Sequence, residues 1–110
     1  MAKLNLGDLV KQMSSAAFKV LKDKWPSVKT FAESEFKKIA QTIVTIQKAK
    51  LAKEITKDEA KLLMEMQKNA TRSVLITAEG LGVLAAEQAI NAGLAVVKDA
   101  VNKAVGWTLL

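Results

Sequence analysis

Glu79-Gly80-Leu81-Gly82 decides the fold of this chain. Helical periodicity runs up to this stretch and away from it, so either one helix passes through or two helices meet there. Each glycine inside a helix costs about 1 kcal/mol relative to Ala, which argues for a break. The stretch lacks the Pro, Asn, Asp or Ser that usually builds a turn, which argues for continuity. With a break, helices over residues 6–24, 27–53, 57–79 and 83–105 can close as a four-helix bundle. Without one, a helix of about fifty residues carries the tail past its neighbours and needs partners to cover it. Both readings stay open at this level.

Upstream, Ile55-Thr56-Lys57-Asp58-Glu59-Ala60 is a helix start. Thr56 can accept from the Glu59 amide while Glu59 reaches back to the Thr56 amide, and Ile55 with Ala60 can staple the turn. Asp58 and Glu59 suit the positive end of a helix. On its N-terminal side Ala32, Phe36, Ile39, Ile43 and Ile46 step by four and three, a heptad seam. On its C-terminal side Leu63, Met66, Ala70, Ser73, Thr77, Leu81 and Leu84 read as a second seam. The short connection predicts an antiparallel helical hairpin over about 27–53 and 57–80. Each arm is roughly 35–40 Å long at 1.5 Å per residue.

An amphipathic helix precedes the hairpin. Leu6, Leu9, Val10, Met13, Ala17, Val20 and Leu21 share one stripe, with Asn5 as the candidate cap. Trp25-Pro26 should end it, since a residue before proline avoids the α region and Pro26 suits the first turn of the next helix. After Gly82 the pattern stays helical. Val83, Ile90, Leu94, Val97, Val101 and Val105 form an apolar ridge. Ala78, Gly82, Ala86, Ala89, Gly93, Ala100 and Ala104 form a ridge of small residues beside it, suited to close backbone approach.

Charge divides the 110 residues near Arg72. Residues 1–72, a basic amphipathic body, hold fifteen of the seventeen Lys and Arg and eight of the eleven acids, a net charge of +7. Residues 73–110, an apolar small-residue tail, carry −1. A helix apolar around most of its circumference is usually buried, so the tail is expected to be covered. Half of the residues are apolar and only 5% aromatic, with one Pro and many Ala and Lys. That composition predicts a single all-α domain over 1–110.

Neither Cys nor His occurs. Thiolate nucleophiles, imidazole bases and thiolate or imidazole metal ligands are therefore excluded. Gly80-Leu81-Gly82 lacks the strand, the longer glycine run and the Lys-Ser/Thr of a phosphate loop, and reads as a hinge or packing site. Glu79 and Glu87 share a helical face, yet a bundle metal centre wants Glu-x-x-His, so both read as surface carboxylates. Trp25 and Trp107 read as plugs at the ends of the core, and Met13, Met64 and Met66 as core filling. No catalytic residue, cofactor or metal is expected, and no small-molecule substrate is indicated.

The expected role is non-enzymatic self-assembly or scaffolding. Ala78, Gly82, Ala86, Ala89, Gly93, Leu94, Val97 and Val101 are the expected self-association residues, in a homo-oligomer or filament. A second reading is a membrane-active protein, pore-forming or bacteriocin-like, whose Lys-rich body binds anionic lipid. Lys11, Lys19, Lys22, Lys37, Lys38 and Lys48 are the candidates for that contact. Nucleic-acid binding is the weaker alternative, because sixteen of the seventeen basic residues are Lys and guanidinium forks are nearly absent. Asp8 and Lys11 interrupt any secretory signal at the start, and the longest uncharged tail run, Gln88 to Val97, is half a membrane span. A cytoplasmic location is the default, with membrane association or export without a cleavable signal left open.

Overall fold

The computed structural model describes residues 4–110, for Ala78 and Glu79 the backbone alone. It is all-helical, with no strand among the described residues. Helix α1 (Leu6–Leu21) opens on Asn5, whose side-chain oxygen accepts from the Asp8 amide at 3.0 Å. It ends earlier than the expected residue 24. Lys22–Lys24 form a 3-10 turn in which Lys22 adopts φ 49°. The turn feeds directly into α2 (Trp25–Leu51), with Pro26 in its first turn, where a missing N–H costs nothing. Residues 6–51 are thus helical throughout, yet α1 and α2 fold back onto each other.

The seam expected in α2 is the one it buries. Ala32, Phe36, Ile39, Ile43 and Ile46 are all at most 1% exposed. Helix α3 (Lys57–Glu79) begins at Thr56 with both hydrogen bonds of the capping box in place. The Glu59 amide donates to Thr56 Oγ1 at 3.2 Å, and the Thr56 amide donates to Glu59 Oε1 at 2.9 Å. The Thr56 amide, first, and the nearby Thr56 hydroxyl favour the ionised carboxyl of Glu59 and hold it below its ordinary value of 4.5. A carboxyl lowered on folding stabilises the fold above its unfolded pKa, and that contribution is lost as pH falls through the folded value. Glu59→Gln is therefore expected to melt below the parent at pH 7. The two curves should converge in strong acid, and a constant gap across the titration would contradict this origin.

The face of α3 is a correction to the sequence reading. Ala60, Met64, Thr71 and Leu75 are buried, whereas Leu63, Met66, Ala70, Ser73 and Thr77 are exposed. Both registers have three- and four-residue spacing, so periodicity alone does not choose between them. Glu35 does. Its carboxylate, 3% exposed on α2, accepts from Thr71 Oγ1 at 3.4 Å and from Lys38 Nζ at 2.9 Å, while Gln67 Nε2 donates to Thr71. Turning the expected seam inward would withdraw Thr71 and leave a buried charge with fewer partners, which is costly. Met66, expected in the core, is 59% exposed, and Leu84 is 69% exposed.

At Gly80 the helix breaks. Gly80 takes the left-handed conformation, φ 67°, which only glycine adopts freely, and its amide and that of Leu81 turn back on the Leu75 carbonyl. Leu81 is buried, and Gly82 leads into α4 (Val83–Val105) in extended conformation. Nothing lies within 4 Å of a Cβ built on Gly82, so Gly82 is not at the close helix contact expected of it.

Helix α4 lies chiefly against α1, with further contacts to α3 and α2. It buries Ala86, Ala89 and Gly93 from the small-residue ridge and Ile90, Leu94, Val97, Val101 and Val105 from the apolar one. The ends of both ridges depart from expectation: Val83 is 56% exposed and Ala100 faces solvent. At the far end Lys50 Nζ donates to the Val105 carbonyl and stands 4.8 Å over the Trp107 ring. A cation there suits the negative end of α4. Asn102 Oδ1 accepts from the amides of Leu109 and Leu110, folding the last residues back so that Leu109 is buried.

Candidate functional site

Six of the expected self-association residues, Ala86, Ala89, Gly93, Leu94, Val97 and Val101, are buried within a single chain. The tail is covered by its own body, because α1 presents Leu9, Met13 and Ala17 as a matching apolar face. The tail is thus covered within one chain, and its burial by itself gives no evidence for an oligomer or filament. Gly82 is exposed, and the Ala78 side chain lies outside the described residues. The Glu79 carboxylate also lies outside them. Glu87 pairs with Arg72 at 3.0 Å, and no group of carboxylates suited to a metal ion occurs among the described residues.

A groove of about 280 Å³ between α3 and α4 is lined by Glu65, Lys68, Asn69, Arg72, Glu87 and neighbours. Its charges answer one another: Arg72 pairs with Glu87, and Lys68 with Glu65 at 3.6 Å.

The opposite side of α3 differs. Leu63, Met66, Ala70, Ser73 and Thr77 step by three, four, three and four along its exposed face, with Leu62 beside them at 61% exposure. Between residues 62 and 77 the charged residues are Glu65, Lys68 and Arg72. All three line the groove toward α4, so the outward stripe carries no charge. In a chain one-quarter charged, these are five outward positions of one helix without a charge.

The six lysines singled out for anionic contact separate into two groups. Lys37, Lys38 and Lys48 sit on α2, and Lys38 is engaged with the buried Glu35. Lys11, Lys19 and Lys22 come together beside apolar surface. One shallow groove between α1 and α4 holds Lys11 and Lys19 around Ala16, Ala92 and Val96. Lys19 also borders a second, formed with Phe18, Lys22, Asp23 and Pro26. Phe18 is 51% and Val96 50% exposed, and the Phe18 ring centroid is 6.1 Å from that of Trp25. Sequence reasoning passed over Phe18, although its place off the apolar stripe of α1 and next to Lys19 was a usable signal.

No helix among the described residues is long and apolar enough to cross a membrane. Comparison with protein-family models, curated proteins and solved structures gives no match.

Proposed function

We propose that this protein is a non-enzymatic helical protein that self-associates through the outward face of α3. The observation that carries this reading is the uncharged stripe of Leu63, Met66, Ala70, Ser73 and Thr77. Heptad spacing is the pattern a second helix fits by knobs-into-holes packing. Small residues at 70, 73 and 77 allow close approach at one end, and Leu62, Leu63 and Met66 supply apolar area at the other. Copies with a net charge of +6 repel one another, and this stripe brings no lysine of α3 into the contact, while Lys38 of α2, which borders Leu63, is paired with Glu35. A two-fold pairing of the stripe with itself gives a closed dimer.

The architecture behind this reading is an antiparallel hairpin of α2 and α3, closed by α1 and α4 into a four-helix bundle. The short connection between Leu51 and Lys57, the Glu35–Thr71 bond and the packing of α1 on both α2 and α4 support it.

Light scattering behind a sizing column across a hundredfold dilution tests the proposal. A mass above the 11.9 kDa monomer is expected at the concentrated end. Met66→Lys with Ala70→Lys, both at exposed positions, should yield a monomer of unchanged helicity. One monomeric mass for the parent throughout, or an assembly indifferent to the two lysines, refutes it.

A further inference from the structure

We infer that the face shared by α1, the Lys22–Lys24 turn and α4 docks on an anionic phospholipid bilayer. The proposal is independent of the α3 stripe. Lys11, Lys19 and Lys22 border two adjoining shallow grooves, and Asp23 is the only acid among the residues lining them. Their floor is apolar, with Val96 and Phe18 half exposed between the cations. A phosphate track for nucleic acid needs charge and no such floor. A bilayer surface uses both, because ammonium groups meet the headgroups while an aromatic side chain enters the acyl boundary. No helix among the described residues is long and apolar enough to cross a membrane, and the contact proposed is one at the surface.

The two tryptophans make this testable. Trp25 neighbours Phe18 at the start of α2, whereas Trp107 lies under Lys50 near the other end of that helix. The molecule is 42 Å long, and Phe18, Lys22 and Pro26 of the proposed face lie at the end where Trp25 sits, away from Trp107. The experiment is co-sedimentation of the full chain with vesicles of phosphatidylcholine alone or with one-third phosphatidylglycerol. It is combined with fluorescence quenching by brominated lipid in Trp107→Phe and Trp25→Phe proteins.

Binding is expected only with phosphatidylglycerol, weakening as salt rises. Quenching should be strong for Trp25 and weak for Trp107. Phe18→Ser should weaken binding about tenfold. Lys11, Lys19 and Lys22 changed together to Gln should weaken it on the order of a hundredfold. Val96→Ser, on the other helix, guards against a local effect of Phe18 on its own turn, and should also weaken binding with helicity retained. Equal binding to both vesicles, stronger quenching of Trp107, or variants that bind like the parent would overturn the proposal. So would a short DNA duplex that strips the protein from vesicles, which would assign the face to nucleic acid.

Discussion

Gly93→Leu is expected to lower the melting temperature by roughly 10 °C or to abolish folding. Gly93 sits in the middle of α4, buried, and a Cβ built there stands 3.2 Å from Phe36 Cε1 and 3.4 Å from Met13 Cβ. Alanine already requires the Phe36 ring to give by a few tenths of an ångström. Leucine adds three further carbons to a space that does not exist, and the helices must separate. Helix propensity pulls the other way, since leaving Gly for Leu gains most of about 1 kcal/mol. The signs therefore oppose, and steric exclusion wins only if α4 is packed as described. Thermal melts of the parent, Gly93→Ala and Gly93→Leu at one protein concentration decide it. A rise for leucine with unchanged mass would mean that α4 is not held against α1 and α2.

Phe36→Ala carries the other large effect, a loss of about 3–5 kcal/mol. Phe36 is 0% exposed and is the largest side chain fully enclosed in the core. Removing its ring leaves a cavity beside Gly93. The pair is thus expected to be strongly non-additive: in the Phe36→Ala protein, Gly93→Leu fills the void instead of forcing the helices apart. Denaturant unfolding of the four proteins of the cycle measures the coupling. A double variant more stable than either single one is expected. Losses that simply add would show that residues 36 and 93 do not share a space.

The seam of α2 could be read from the sequence because its apolar residues lie in one register, with Lys37, Lys38 and Lys48 away from it. Helix α3 offered two registers. Leu63 and Met66 outweigh Ala60 in hydrophobicity, yet a buried polar pairing, Glu35 with Thr71, selects the face, and no periodicity in α3 alone reports a partner 36 positions away. The capping box was legible to the residue because its chemistry is local. Gly80 was not, since a left-handed helix end and a tolerated interior glycine look alike until the segment after it has something to pack on. Leu81, buried 5% exposed, supplies that reason. The lysine candidates divided for a similar cause. Lys38 and Lys19 are alike in sequence, and only the placement of Glu35 and Val96 separates a lysine tied to a buried carboxylate from an open basic face.

The closest association in the molecule joins the first helix to the last, and this has a bearing on the order in which the chain can fold. Helices α1, α2 and α3 are successive neighbours across short connections and can meet early, whereas the face of α1 that packs on α4 must wait for a segment beyond residue 82. Bringing distant segments together costs loop entropy before any contact compensates for it. During synthesis Leu9, Met13 and Ala17 therefore remain without their final covering while residues 22–82 are added one by one. The part of the α1 stripe that α4 covers stays open until α4 emerges, and that emergence is the event that closes it.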